Sequence, residues 1–207
     1  MNETFVDFCK AGNLNGMINH INMNKINIRA VNAEFRSARE NGHTYIVEYL
    51  TKFHKINIRA VNAGFRSACE NGHTYIVEYL TKFHKINIHA NYEYGFRCAC
   101  YIGNKHIVEY LVNLYKNNST YTKINIHIIN EGCFRGACHY GHIHIVKYLI
   151  NLHKIRQSRQ PTYAKINIHT NNEEGFRFAC YYEEKHLVKY LLSCGCHSNN
   201  YKCIIIL

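Results

Sequence analysis

Two groups of cysteine and histidine residues have the side chains needed to bind a metal ion. The first is Cys138-His139 with His142 and His144, and the second is Cys194-x-Cys196-His197 with Cys203. Thiolate and imidazole are the usual zinc ligands, but paired ligands normally stand two to four residues apart and a second pair follows them. The second group does not meet these conditions, and Cys138 of the first shares a repeat position with Cys69, Cys100 and Cys180, where packing explains it better. The sequence therefore predicts no metal site and no cofactor, with zinc at the second group as the alternative.

Other catalytic arrangements have little support in the sequence. No nucleophile, base and orienting group recur at catalytic spacing, and no glycine-rich phosphate loop occurs. We therefore expect a protein that is not an enzyme.

Composition and charge restrict the class of protein further. The chain has 207 residues, 47% of them hydrophobic, which is ordinary for a folded protein. Its ten cysteines accompany no export signal or long apolar run, so we expect reduced thiols and an intracellular protein without a signal peptide or transmembrane segment. A net charge of +11 favours anionic partners and disfavours cationic ones.

The sequence repeats itself with a period of about 30 residues, which is typical of a solenoid. Residues 56–85 repeat 26–55 with two substitutions, Glu34 to Gly64 and Arg39 to Cys69. We predict a capping half-repeat and five copies, followed by a tail: 1–25 (cap), 26–55 (copy 1), 56–85 (copy 2), 86–123 (copy 3), 124–165 (copy 4), 166–195 (copy 5) and 196–207 (tail). Copies 3 and 4 carry insertions at 117–122 and 155–164, which fit either surface loops or helix extensions.

Each copy reads as a short extended finger, a helix, a turn and a second helix. Phe35, Ala38 and Arg39 share one face of the first helix, and Asn32 is placed to cap its start. Gly42 suits a left-handed helix end. On the second helix, apolar residues fall on one stripe: Ile46, Val47, Leu50 and Phe53.

The copies resemble the ankyrin repeat family in the Gly-His-x-x-x-Ile-Val-x-x-Leu segment, for example from Gly42-His43 to Leu50. They depart from it where the family has Thr-Pro-Leu-His, because Phe-Arg stands there in every copy. The Ile-, Asn- and Tyr-rich composition is similar to that of ankyrin proteins of giant DNA viruses that infect amoebae. The resemblance implies an all-α ankyrin-type repeat solenoid, located in the host cytoplasm, that binds a host or viral protein with its concave face.

Residues that differ between copies are free to serve a partner, whereas invariant residues are needed by the fold. The two residues before the turn glycine differ most: Glu40-Asn41 and Glu70-Asn71 in copies 1 and 2, then Tyr101, Ile102, His139, Tyr140, Tyr181 and Tyr182 in copies 3 to 5. Tyrosine is enriched among interface hot spots. We predict that these six residues bind a partner, the alternative being that the rings only cover a groove between helices.

Basic residues recur at the finger of each copy. Lys25, Lys55, Lys85, Lys123 and Lys165 precede it, and Arg29, Arg59, His89, His127 and His169 follow four residues later. These residues predict a basic edge that binds nucleic acid or another polyanion, which is the alternative function. They also fit a solvated rim.

Three further sets of residues yield structural predictions. Arg36, Arg66, Arg97, Arg135 and Arg177 are invariant, which favours a role in holding fingers to helices. Cys69, Cys100, Cys138 and Cys180 share one position, which favours a small buried residue. Arg39 stands in that position in copy 1, where we expect its guanidinium to reach the rim. Glu183 replaces the turn glycine in copy 5, which predicts a distorted turn or a terminal cap.

Overall fold

The computed structural model describes residues 4–24, 27–152 and 164–197. These residues form twelve α-helices and no strand, which confirms the all-α expectation. The chain divides into two compact units, Met1–Ile88 and His89–Leu207. We describe each unit by itself.

Unit 1 contains three helix pairs. The first helix of each pair contacts the first helix of the next pair, so α3 packs between α1 and α5. The second helices of the last two pairs, α4 and α6, also contact each other. The six helices are α1 (Phe5–Ala11), α2 (Leu14–Met23), α3 (Ile28–Glu40), α4 (Thr44–Phe53), α5 (Ile58–Asn71) and α6 (Thr74–Phe83).

The predicted apolar stripes form the core of unit 1. Phe35 and Ala38 on α3 are fully buried, as are Val47 and Leu50 on α4. Burial of each large apolar side chain contributes about 1.5–3 kcal/mol. The prediction was wrong for Phe53, which is 62% exposed because α4 ends there; its ring packs against Tyr49, 4.8 Å between centroids, and under the Lys52 ammonium at 5.3 Å.

The inner helices of unit 1 begin earlier than the sequence suggested. α3 starts at Ile28, and the Asn27 side chain caps it by accepting from the Ala30 backbone amide at 2.9 Å. Asn32 is therefore not the cap; it lies inside the helix and donates to the Ile28 carbonyl. α5 repeats this arrangement from Ile58. The last two residues of the predicted finger, Ile28-Arg29 and Ile58-Arg59, thus belong to the helix in copies 1 and 2.

Unit 2 also contains three helix pairs among its described residues. The first helix of the middle pair, α9, packs against both α7 and α11, and α8 contacts α10. The six helices are α7 (Ala90–Ile102), α8 (Lys105–Asn117), α9 (Ile128–His139), α10 (Ile143–Asn151), α11 (Thr170–Tyr181) and α12 (Lys185–Ser193).

A left-handed turn of three residues interrupts the start of each inner helix in unit 2. The core phenylalanine follows the first isoleucine of its copy by nine positions in copy 2 (Ile56 to Phe65) but by ten in copy 3 (Ile86 to Phe96). One extra residue in a continuous helix would rotate the phenylalanine by about 100° away from the core. The left-handed turn absorbs that residue, and Phe96, Phe134 and Phe176 all stay buried. The turn residues are Asn91, Tyr92 and Glu93; Ile129, Asn130 and Glu131; and Asn171, Asn172 and Glu173.

The turn between paired helices uses a glycine and a histidine from neighbouring copies. Gly42 has φ +77, as predicted, and a Cβ there would lie 2.7 Å from the His73 ring of the next copy. The ring nitrogen of His73 donates to the Glu40 carbonyl at 3.0 Å. The same contact joins His43 to the Lys10 carbonyl at 2.7 Å in unit 1, and His142 to the Tyr101 carbonyl at 2.8 Å in unit 2. A hydrogen bond across each of these three turns therefore fixes the register of the adjacent pairs.

Copy 5 keeps this turn without the glycine. Glu183 adopts φ 58, so the turn has the ordinary left-handed form and the predicted distortion is wrong. Glu184 replaces the histidine, and its carboxyl group lies against Gly141 in the place of the ring.

Arg39 is buried, contrary to the expectation that it reaches the rim. It is 8% exposed, and its Nη1 donates to the Ala60 carbonyl at 3.0 Å. A Cβ at Gly64 would lie in ordinary contact with Arg39 Cδ, at 3.4 Å. Burial lowers the pKa of Arg39.

The insertion at 117–122 combines both predicted forms. α8 continues to Asn117, three residues longer than α4, and residues after the Asn118 cap form a turn in which Tyr121 is buried. Almost all of the insertion at 155–164 lies outside the described residues. No helix in the described part of the chain is long and apolar enough to cross a membrane.

Candidate interaction surface

The predicted aromatic residues lie at the C-terminal ends of the inner helices of unit 2. Tyr101 and Ile102 end α7, His139 ends α9, and Tyr181 ends α11. Tyr140 and Tyr182 are the C-caps of α9 and α11. These positions have one cause. Each copy places its variable pair directly before the turn that joins its two helices, so stacking of α7, α9 and α11 brings the pairs together.

The rings form a continuous set of contacts. His139 is central, with centroid distances of 4.5 Å to Tyr140 and 4.7 Å to Tyr182, both edge to face. Tyr101 extends the set from Tyr140 at 6.3 Å, and Tyr181 extends it from Tyr182 at 4.9 Å. We call this set, together with Ile102, the aromatic surface.

Members of the aromatic surface differ in exposure. Tyr181 is 79% exposed and Tyr140 is 57% exposed, with Tyr182 and Ile102 also exposed. Tyr101 is half-buried because its ring lies directly over Gly136, where a Cβ would overlap it. Burial raises the pKa of Tyr101. Tyr101 and His139 therefore fill grooves between helices, whereas Tyr140, Tyr181 and Tyr182 project outward.

The sequence comparison missed one aromatic residue. Phe178 packs edge to face against His139 at 4.6 Å. It stands one residue after the invariant arginine, where the other copies have Ser37, Ser67, Cys98 and Gly136. That single large residue among small ones was a signal available from the sequence.

The predicted basic edge is exposed where the structure describes it. Arg29, Lys55, Arg59 and Lys85 are exposed in unit 1, and Lys123 and Lys165 are exposed in unit 2. Partial burial lowers the pKa of Lys123. Lys25 lies outside the described residues.

The three finger histidines of unit 2 are not free basic groups. In each, Nδ1 donates to a carboxylate four residues later: His89 to Glu93 at 2.9 Å, His127 to Glu131 at 2.9 Å and His169 to Glu173 at 2.7 Å. Glu93 and Glu131 also accept backbone amides of the next copy, from Asn125 and Asn167 at 3.1 Å. The sequence analysis missed these pairs, which join the finger of one copy to that of the next.

Among the invariant arginines, Arg135 in copy 4 shows the predicted structural role most fully. Nε and Nη2 of Arg135 donate to the Asn130 and Ile129 carbonyls at 2.9 and 3.0 Å, and Nη1 donates to Glu174. Arg97 makes one longer bond of this kind, 3.4 Å to the Asn91 carbonyl. Arg36 instead pairs with Glu40 on its own helix. Arginine thus bonds to the left-handed turn in copies 3 and 4.

The cysteines that share one position in the copies are buried, as predicted. Burial raises the pKa of Cys100 and Cys138 well above its ordinary value, which disfavours the thiolate. Cys180 is disulfide-bonded, which corrects the expectation of a reduced thiol there, and the other described cysteines are free. Among described residues no group of three or more His, Cys, Asp or Glu side chains could hold a metal ion. Cys203 lies outside them.

Comparison with known proteins adds no family to these observations. No protein-family model matches the chain, and no curated protein matches it.

Proposed function

We propose that the chain is an ankyrin-type repeat solenoid that binds a partner protein, without catalysing a reaction, through the aromatic surface. The histidine-to-carbonyl contact that recurs across three glycine turns supports the repeat architecture, because it has the same geometry in both units. The viral origin and the cytoplasmic location rest on the resemblance of the sequence alone.

The connected, partly exposed ring cluster supports binding at this surface most directly. Tyrosine combines a large contact area with few rotatable bonds and a polar tip, which makes it effective at interfaces. The half-buried Tyr101 and His139 hold the exposed rings in place, which lowers the entropy lost when a partner orders them. No comparable ring pair occupies Glu40-Asn41 or Glu70-Asn71 in unit 1. The partner is therefore expected to contact unit 2.

A capture experiment tests this proposal. Wild-type protein and a Tyr140→Ala/Tyr181→Ala/Tyr182→Ala variant would be immobilised and exposed to host cell lysate. A Tyr45→Ala/Tyr75→Ala variant is the matched control, because those tyrosines are 75% and 77% exposed in unit 1. We expect wild type and control to retain the same specific partner and the triple variant to lose it. Retention of every specific partner by the triple variant would count against the aromatic surface.

A second candidate function is electrostatic binding of nucleic acid or another polyanion. It is favoured by the exposed side chains of Arg29, Lys55, Arg59 and Lys85 in unit 1 and by the net charge of +11. Its dependence on salt distinguishes it from the first candidate.

A further inference from the structure

The position directly before the core phenylalanine holds a small residue in four of the five copies. Gly64, Gly95, Cys133 and Gly175 occupy it. The position is tightly packed: a Cβ at Gly64 would lie 3.1 Å from the Phe35 ring, and one at Gly175 would lie 2.8 Å from the Phe134 ring. Copy 1 has Glu34 there, so a carboxyl group enters a site that the fold otherwise keeps small.

The Glu34 carboxyl is buried without a hydrogen-bond partner. The residue is 6% exposed, and its Oε2 contacts no donor among the described residues. Burial raises the pKa of Glu34, the charge of Lys10 lowers it and the charge of Asp7 raises it. A buried carboxylate is normally satisfied by an N–H or O–H donor. Glu34 therefore has unused capacity to accept one.

Glu34 lines a groove of about 530 Å³ between α1 and α3. The counterpart of this groove in unit 2 is filled, because Tyr101 lies over Gly136. Lys10 and Ser37 stand at the equivalent positions in unit 1. Lys10 is two residues before the turn glycine, as Tyr101 is, and Ser37 follows the invariant arginine, as Gly136 does. Neither side chain fills the space that the tyrosine ring takes, so the groove stays open.

We propose that this groove binds a cationic side chain of a partner protein, a lysine ammonium or an arginine guanidinium, with Glu34 as its counter-ion. Ser37 and Glu40 offer further acceptors along the groove, and Val6 and Ala33 offer contact to an alkyl stem. Arg36 is paired with Glu40 at 2.8 Å, and Lys10 makes no hydrogen bond to Glu34 in the described structure. An incoming donor therefore meets a carboxylate that no internal cation has neutralised by contact.

NMR titration of the full chain tests the proposal with three pentapeptides. Each has blocked ends and glycines around a central lysine, arginine or norleucine. We expect saturable shifts of the Glu34, Ser37 and Asn41 amides with lysine or arginine and none with norleucine, whose stem lacks the charge. The tighter of the two cationic peptides identifies the natural side chain. Glu34→Gln should weaken binding by about tenfold or more, because a charge-assisted hydrogen bond is lost.

Two control variants separate this site from other effects. Glu78→Gln makes the same charge change on the outer helix α6 and should bind the peptides as wild type does. The Tyr140→Ala/Tyr181→Ala/Tyr182→Ala variant should also bind them normally, so the groove and the aromatic surface are tested independently. The proposal is overturned by equal affinity in a well-dispersed Glu34→Gln spectrum, by binding of norleucine, or by the absence of saturable shifts with both cationic peptides.

Discussion

The turn between the paired helices contains one residue in the left-handed conformation, and that residue differs in copy 5. Glu183 adopts φ 58 at a position where Gly42, Gly72, Gly103 and Gly141 stand in the other copies. A residue with a Cβ costs about 1–2 kcal/mol in the left-handed region. Glu183 is exposed, and the helices on either side of it, α11 and α12, pack against each other, so their packing offsets the strain.

We expect Glu183→Gly to stabilise the protein by about 1 kcal/mol, since glycine removes the left-handed strain. The reverse change at the equivalent position, Gly141→Ala, should destabilise it, because a Cβ would also overlap the Glu184 carboxyl. Urea unfolding followed by circular dichroism measures both effects. An unchanged or lower unfolding midpoint for Glu183→Gly would contradict the prediction.

The buried Glu34 carboxyl gives stability a definite pH dependence. Its pKa in the folded state is raised above the ordinary value of 4.5, mainly by burial. The unfolded state therefore loses this proton at lower pH than the folded state does. The stability that Glu34 contributes is full below the unfolded pKa and is lost as pH rises through the folded pKa.

Glu34→Gln should therefore stabilise the protein more at pH 7 than at about pH 4, because the amide stays neutral at both. Urea unfolding of wild type and variant at the two pH values measures the difference. Glu78→Gln should show no comparable pH effect. A gain in stability that is equal at both pH values would show that the Glu34 carboxylate carries no burial cost.

Residue comparison across copies predicted much of the candidate site from the sequence. The aromatic residues were found because stacking brings equivalent positions of adjacent copies together. The His89–Glu93 pair and its equivalents were missed although the two residues stand four positions apart, because the carboxylate belongs to the left-handed turn, which the sequence did not predict. Burial of Arg39 was missed because its guanidinium bonds to the Ala60 carbonyl of the next copy, a contact that no single copy contains.

At the scale of elements, a one-residue difference in length separates the two units. A spacing of nine positions from the first isoleucine of the copy to the core phenylalanine gives a continuous helix in copies 1 and 2. A spacing of ten gives the left-handed turn in copies 3 to 5. The sequence predicted the helices but not this difference, because a short polar segment fits either conformation. The outer helices were predicted more accurately, since their apolar stripe has no interruption.

The first residue of the three-residue left-handed turn differs between copies, and so does its cost in conformational free energy. It is Asn91 and Asn171 in copies 3 and 5 but Ile129 in copy 4, at φ 52. Asparagine tolerates this region well, whereas a β-branched residue there is a genuine outlier. Ile129→Asn should therefore raise stability by about 0.5–1 kcal/mol, because Ile129 is 44% exposed and loses little burial.

The reciprocal variant Asn171→Ile is the matched control and should lower stability. Differential scanning calorimetry of both variants measures the effect as opposite shifts in Tm. Equal shifts of the same sign would mean that packing, and not backbone strain, decides the residue at this position.

Glu131 joins two successive elements of unit 2 through one carboxylate. Its Oε1 accepts from His127 Nδ1 and from the Asn167 backbone amide, and the residue is 6% exposed. Glu131→Ala leaves both donors without their acceptor, so we expect a loss of about 1–3 kcal/mol. Hydrogen exchange should show faster exchange of the Asn167 amide. Unchanged protection of that amide would contradict the link between fingers.

At the scale of the whole molecule, charge and aromatic residues are distributed unevenly between the units. The aromatic surface belongs to unit 2, whereas Arg29, Lys55, Arg59 and Lys85 form the exposed part of the basic edge in unit 1. The two candidate functions therefore depend on different residues. Substitutions in one set should leave the other function intact.

Salt dependence separates a polyanion binder from a protein binder. Each phosphate contact with single-stranded nucleic acid adds about −0.7 to the slope of log affinity against log salt. If the basic edge contacts phosphates, Lys55→Gln/Arg59→Gln/Lys85→Gln should reduce the magnitude of the slope by about 2, since three contacts are lost. Fluorescence anisotropy with labelled single-stranded DNA at several salt concentrations measures it. The Tyr140→Ala/Tyr181→Ala/Tyr182→Ala variant, whose charge is unchanged, should keep the wild-type slope. A flat salt dependence in the wild type would eliminate the polyanion candidate and leave the aromatic surface as the proposed binding site.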